Sequence, residues 1–480
     1  EARAELTVTR AAGARIACVA SAGGPSPCKV TFERTDGGPA PDVGPAFAAG
    51  PARDQVTAAD GVADVALAPG AYRVTASRGP EYALAAMDLT LAPGDHADTR
   101  LPIARVVDTT GYLGCDFHQH SSLSADAQVA TRDRVIANAA EGVEIAVASE
   151  HNFIADLEPI VKELHLDEEL VAIAGDEVTS DASRAPWGHA NVYPLPFDAE
   201  APRGGAPPVR DRTARDVLEA MRQAAAPGEV VVQINHPRSG SNGYFDRLAF
   251  DAKTGAGTGP GYDAAFDALE VWNGRNVQAR GRVLDDFFAM LRASRPVTPT
   301  ADTDTHGIVG QEAGYPRTYV RVQDDAHLGA WDGARTADLV RAVKATRDVV
   351  LTNGPMLRVT GNGVPVGGLA KGPVVRVKVH VESAPWVRVD ELRLVRASAP
   401  DRADVQRVTP RPNARGALAA DATFTVRVQQ DDAVVVVAQG AAPMTPVLRE
   451  AGGDPAALLP WAMTGAIWID ADGDGKAQGR

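Results

Sequence analysis

Apolar and polar positions divide the chain into three zones. Up to residue 106 the apolar positions come in short runs rich in Val, Thr and Ala, at 6–9, 15–19, 29–33, 63–67 and 72–76. Gly/Pro clusters such as GGPSP, DGGPAPDVGP and LAPG separate them. Short strands at that turn spacing predict a small β-sandwich over 1–106. From 107 to 355 the pattern becomes strand, polar residue, helix, repeated. Strands are expected at 112–117, 143–148, 170–174, 190–195, 230–234, 269–272 and 296–300. Thr131 and Thr213 stand where they can cap helices. Leu157, Ile160, Val161 and Leu164 mark one helical face, with Pro159 near its start. A helix is expected over 283–291. This alternation predicts a parallel α/β fold, and the strand number favours a barrel over an open sheet. No GxGxxG or Walker-type loop supports a nucleotide-binding sheet. From 356 to 480, runs at 374–381, 391–395, 423–428 and 433–438 predict a second β-sandwich-like domain.

Charge narrows the partners. Lys and Arg number 48 and Asp and Glu 62, a formal charge of −14. That balance disfavours nucleic acid or an anionic membrane surface, which need basic faces. No apolar run reaches the roughly 18 residues of a transmembrane helix. Of three cysteines, Cys18 and Cys28 can close a small disulfide or remain two buried thiols, and Cys115 sits in an apolar strand. The first residue is Glu1 and not Met, which suggests a removed leader and a periplasmic, secreted or lipid-anchored protein.

Histidine and carboxylate placement carries the chemistry. Seven of the ten histidines fall between 118 and 306. His118 and His120 have the i, i+2 spacing that puts both imidazoles on one side of a strand. Asp126 follows after a short loop. His151, Glu177, His189 and His236 each sit at an end of an expected strand. The last such strand leads to Asp302, Asp304 and His306. In a β/α barrel the C-terminal strand ends converge on the face where active sites are built. Imidazole and carboxylate ligands without Cys suit zinc, manganese or iron. The set can fill two or three metal sites, with Glu177 as a bridge. His165, His327 and His380 fall outside the pattern and read as surface residues. At the C-terminus, Asp470, Asp472 and Asp474 match the first half of a calcium loop without its closing Glu.

The ordered motifs DFHQHSSLSAD, ASEHN, GDE, GHANVYPL, NHP, LEVWNG, DTH and GYPRTYV resemble the PHP (polymerase and histidinol phosphatase) metal-dependent hydrolases. Within that family they are most similar to the carbaryl-hydrolase-type branch. The resemblance covers about 112 to 355, with a looser likeness in the flanking β regions. It implies a distorted seven-stranded β/α barrel holding two or three divalent metals. Carried onto this chain, it implies His118, His120, Glu177 and Asp304 at one metal. Glu177, His189 and His236 would hold a second, and Asp126, His151 and His306 a third. Glu150 stands where the family often has Asp and is expected to orient an imidazole. Asp302 is an extra carboxylate, either a general acid/base or a loop-fixing group. Metals at such a cluster lower the pKa of a shared water and produce hydroxide near neutral pH. No GxSxG elbow points to a serine nucleophile.

The expected substrate is a small-molecule ester. Arg238, Arg275 and Arg317 are candidate substrate residues, and guanidinium groups suit phosphate oxygens, so a phosphoester leads. Trp187, Tyr244 and Trp272 can instead wall an aromatic leaving group, which suits a carbamate, amide or carboxylic ester. The loop 237–262, with six glycines, is a lid or an insertion. The amidohydrolase superfamily shares the HxH opening, but no bridging Lys stands near Glu177. A secreted binding protein with a vestigial barrel is the reading from another class.

Overall fold

The computed structural model describes residues 10–225, 229–323, 325, 328–346, 348–449 and 454–477. Strand Ala12–Ala20 alternates inward and outward, burying Ala14, Ile16 and Cys18. It pairs with Val62–Leu67 and His96–Ile103. A second sheet contains Gly50–Ala52, Gln55–Ala58, Cys28–Arg34, Gly70–Ser77 and Ala85–Leu91. The two sheets share one apolar cluster that includes Ile16, Val30, Phe32, Val74 and Leu101. Cys18 and Cys28 form a disulfide inside it. The strand expected at 6–9 lies outside the described residues.

In the middle of the chain, Tyr112–Asp116 is buried at every position. It pairs in parallel with Ile145–Ala148, which pairs in parallel with Val171–Ala174. Continuous apolar runs are what strands covered on both faces require. Helix Thr131–Ala140 has Ala130, not Thr131, at its N-cap, and no side chain caps it. Thr213 does cap Ala214–Ala224, accepting from the Asp216 N–H.

A second sheet runs in the order Asp176–Thr179, His189–Tyr193, Val231–Ile234, Ala268–Asn273, Thr298–Asp302. Its last three strands are parallel, and His189–Tyr193 is antiparallel to both neighbours. The core is therefore mixed α/β, and the expected barrel is not one continuous closed ladder. The break falls at Gly175, where a Cβ would come within 2.7 Å of Val147. Beyond this crowded point the chain leaves the parallel array for an antiparallel hairpin. Two single bridges still join the sheets, Gln119 with Thr305 and His151 with Glu177. Both lie among the candidate ligands.

Arg317–Arg321 runs antiparallel to Tyr112–Asp116 and to Val349–Thr352. Val349–Thr352 in turn pairs with Trp461–Thr464, so the first central sheet continues into the C-terminal β region. There, Val374–Ser383 turns Val375, Val377, Val379 and Val381 inward and pairs with Met356–Gly361 and Leu418–Arg427. Among the described residues, no helix is long and apolar enough to cross a membrane.

Candidate metal centre

The strand ends bring the nine expected ligands together. His118 Nε2 lies 3.1 Å from Glu177 Oε1 and 3.2 Å from Asp304 Oδ1. His120 Nε2 lies 3.0 Å from the same Asp304 oxygen and 3.5 Å from Glu177 Oε2. Glu177 also meets His151 Nδ1 at 2.7 Å, His189 Nδ1 at 3.2 Å and His236 Nε2 at 3.3 Å. Asp126 Oδ2 lies 3.3 Å from both His151 Nε2 and His306 Nε2. The rings sit close together: His120 stacks on His151 at 4.4 Å and on His306 at 4.2 Å between centroids. One side of the cluster is sealed, with His118, His120 and Glu177 fully buried, and the other opens at Asp126, which is 57% exposed.

Supporting groups fix which nitrogen faces inward. His118 Nδ1–H donates to Glu270 at 2.9 Å, which turns Nε2 toward Glu177 and Asp304. Ser124 Oγ–H donates to Glu150 at 2.6 Å and accepts from His120 Nδ1–H at 2.9 Å. Glu150 thus orients His120 through Ser124, and the Ser121 N–H and hydroxyl secure it. Glu270 also accepts from the His236 backbone N–H at 2.6 Å and from Asn273, whose amide reaches Asp304 as well. His236 and Asp304 both have left-handed backbone, φ 25° and 47°. Such backbone persists only where surrounding contacts hold it, and it concentrates at functional sites. Here Glu270 holds the first, and the His118 carbonyl, accepting from Asp304 N–H at 2.7 Å, holds the second.

Electrostatics match the geometry. Burial disfavours a charged Glu177, but the surrounding His118, His189 and His151 hold its pKa well below the usual carboxylate range. Burial likewise opposes the His118 imidazolium, yet Asp304, Glu177 and Glu270 raise its pKa well above normal. His189 loses by burial and is still raised to about 10 by Glu177 and Asp181. His120 is lowered, chiefly by burial.

The donor set fits divalent ions. His120 Nε2, His236 Nδ1 and His306 Nε2 are buried without a hydrogen-bond partner, and Glu177 Oε2 has His151 Nδ1 at 2.7 Å. Several of these atoms lie within 3–3.5 Å of other acceptors without bonding them, a crowding of lone pairs that a cation relieves. Groups able to hold an ion are His118, His120 and Glu177; His118, His236 and Asp304; His151, Glu177 and His189; and His120, His151 and His306.

Other expected site residues are engaged with protein partners. Arg238 grips Asp286 with two bonds of 2.6 Å and also reaches Asp246. Arg275 is held by Glu312 and the Arg449 carbonyl. Arg317 is fully buried and donates to the carbonyls of Gly314, Gly142 and Glu141. The three guanidinium groups are thus tied to protein partners away from the imidazoles. Asp302 accepts from the Phe117 N–H at 2.9 Å and from Gln233 at 3.0 Å, which makes it a strand-fixing group. Burial, with Glu270 and Asp116 nearby, pushes its pKa well up. Trp187, Tyr244 and Trp272 are core residues: Trp187 packs edge-on to Tyr244, and Trp272 to Trp461. The segment 237–262 is a packed insertion, anchored by buried Tyr244, Phe245, Leu248 and Phe250.

Among the outlying histidines, His165 is exposed and His380 sits between Asp421 and Glu382. His327 lies outside the described residues. At the C-terminus, Asp470 and Asp472 group with Asp431, and Asp474 is not part of that group. The Gly473 and Gly475 N–H groups already donate to Asp470.

Sequence reasoning missed Glu270, Asp181 and Ser124. Glu270 did leave a signal, a lone carboxylate inside the apolar run ALEVW. Asp181, 3.1 Å from His189 Nε2, comes from a loop and left none.

No family model and no curated protein matches this chain. Among solved structures it matches the Streptococcal ancillary pilin at 14% identity, over 24% of this chain and 38% of that chain, with a TM-score of 0.17. The match spans well under half the pilin's length, and a likeness of that size says nothing about the site.

Proposed function

We propose that the protein is a metal-dependent hydrolase of small-molecule esters, a PHP-type enzyme of the kind its motifs resemble. One observation carries this reading. Imidazoles and carboxylates from six separate segments aim ligand atoms at one another, and the buried His120 Nε2 and His306 Nε2 there lack hydrogen-bond partners. The two central sheets, bridged at Gln119–Thr305 and His151–Glu177, support a distorted barrel around the site. The Cys18–Cys28 bond supports an oxidising compartment, periplasmic or extracellular.

His118, His120, Glu177 and Asp304 would hold one ion. Glu177 with His189 and His236 would hold a second, and Asp126, His151 and His306 a third. Two or three divalent ions bound there supply Lewis acidity that acidifies water and polarises the scissile group. The chain contributes order. Glu270 and the Glu150–Ser124 pair orient the His118 and His120 rings. The sealed wall around His118 and Glu177 keeps bulk water to the Asp126 side.

Phosphoesters remain the leading substrates, because several clustered cations can clamp phosphoryl oxygens without arginine. Two observations favour a carbamate, amide or carboxylic ester as the second reading: Arg238, Arg275 and Arg317 are all engaged elsewhere, and the open side carries Asp126 and Asp181. Turnover of p-nitrophenyl phosphate, bis-p-nitrophenyl phosphate and 1-naphthyl methylcarbamate, with and without chelator, tests both. Chelator-sensitive turnover of the phosphates alone selects the first, and of the carbamate alone the second. Inactivity on all three by fully metal-loaded protein would favour the binding-protein reading.

A further inference from the structure

Strand Val171–Ala174 is the outer edge of its sheet. Its register pairs Val171 with Ile145 and Ile173 with Val147, and Val171 N–H donates to the Glu144 carbonyl. A parallel ladder uses alternate residues, so the Ala172 N–H and C=O point to the opposite side. The Leu195 N–H reaches the Ala174 carbonyl from that side, which fixes the direction. Among the described residues, no hydrogen bond reaches Ala172 on this outer edge.

A cavity of about 670 Å³ opens along the same edge. Val161, Leu170, Phe197 and Trp331 give it apolar walls, and Phe197 remains 43% exposed. Four carboxylates, Asp156, Glu158, Asp167 and Asp332, stand at its rim. Lys162, which also lines it, is paired with Glu158 at 2.6 Å, and the Arg335 guanidinium stacks over Trp331. The cavity shares no lining residue with the imidazole cluster.

We propose that this groove receives an extended peptide of alternating basic and apolar residues, hydrogen-bonded to the outward backbone groups of Ala172. Each feature specifies one property of that occupant. The free backbone groups of Ala172 call for an extended main chain. The exposed Phe197 and the Trp331 wall call for apolar side chains at alternate positions. The rim carboxylates set the sign of the remaining side chains. This proposal is independent of what the metal centre does.

Fluorescence anisotropy tests it, with a labelled, end-blocked hexapeptide alternating lysine and valine and the full chain as titrant. The expected result is saturable binding, about tenfold or more tighter than for the matching glutamate–valine peptide. Ala172→Pro removes the outward N–H while sparing the ladder to Ile145–Ala148, and is expected to weaken binding about tenfold. Glu158→Gln with Asp167→Asn, both at exposed positions, is expected to narrow the preference for the basic peptide. No saturable binding, equal affinity for the two peptides, or unchanged affinity in Ala172→Pro would overturn the proposal. Should Ala172→Pro fail to fold, the rim pair and Phe197→Ser decide, and unchanged affinity in both overturns it. Self-association through this groove without peptide binding would assign it to a second copy and equally overturn the peptide.

Discussion

Glu270 is the side chain on which the most ligand geometry depends. It orients the His118 ring, holds the strained His236 backbone and steadies Asn273 beside Asp304. Glu270→Gln is therefore expected to keep the fold and weaken metal binding roughly 10- to 100-fold, read by competition with a chromogenic chelator. His118→Ala and Glu177→Gln are expected to remove metal and activity together, and retention of both in either variant would refute the assignment. Arg238→Ala should act differently. It leaves Asp286 buried without its partner, so a loss of about 3 kcal/mol in stability is expected. Any change in rate should be equal for phosphate and neutral esters, and a selective loss on phosphates would return Arg238 to the site. At this scale the residues that meet in the cluster were legible, because HxH, EH and DTH place them at strand ends. Their supports were not, because Ser124 and Asp181 meet their imidazoles through loop paths that no local pattern encodes.

Elements were legible where burial is uniform or strictly periodic. Tyr112–Asp116 and Val374–Ser383 emerged within a residue or two of their expected bounds. Ala399–Arg407 was missed because hardly any of its side chains face a core. Helix Gly333–Lys344, capped by Asp332, was missed as well. The parallel expectation failed at the hairpin Asp176–Thr179/His189–Tyr193, since strand direction depends on tertiary connection and leaves no mark on apolar periodicity. One element carries its own pH signature. Asp348, buried beside Val349–Thr352 and accepting from Tyr112 Oη–H at 2.6 Å, has its pKa raised to about 6, mainly by burial. A carboxyl raised above its unfolded value of about 3.9 stabilises the fold when protonated. That stability is full below about pH 4 and is lost as pH rises through 6. Asp348→Asn is expected to flatten this fall in urea midpoints between pH 4 and 6.5. An unchanged slope would contradict the assignment.

Across the whole molecule, ion pairs between regions tie the N-terminal sheets to the central core. Lys29 Nζ meets Glu141 at 2.5 Å with both side chains almost fully buried. Arg105 joins Glu81 and Glu144, and Arg78 joins Glu169. Lys29→Met alone is expected to cost about 3–5 kcal/mol, because it strands a buried carboxylate. Adding Glu141→Leu should recover most of that in unfolding measurements, and simple additivity of the two would contradict the coupling. None of these pairs was legible, since their partners are far apart in sequence and each alone resembles a surface charge. The broad order of β-rich, alternating and β-rich zones was legible, because composition and periodicity change together along the chain. The central claim concerns the imidazole cluster, and anomalous diffraction from crystals grown with zinc tests it most directly. The account predicts two or three anomalous peaks between His118, His120, Asp126, His151, Glu177, His189, His236, Asp304 and His306. An absence of anomalous density among those side chains, in crystals that hold zinc elsewhere, would contradict it.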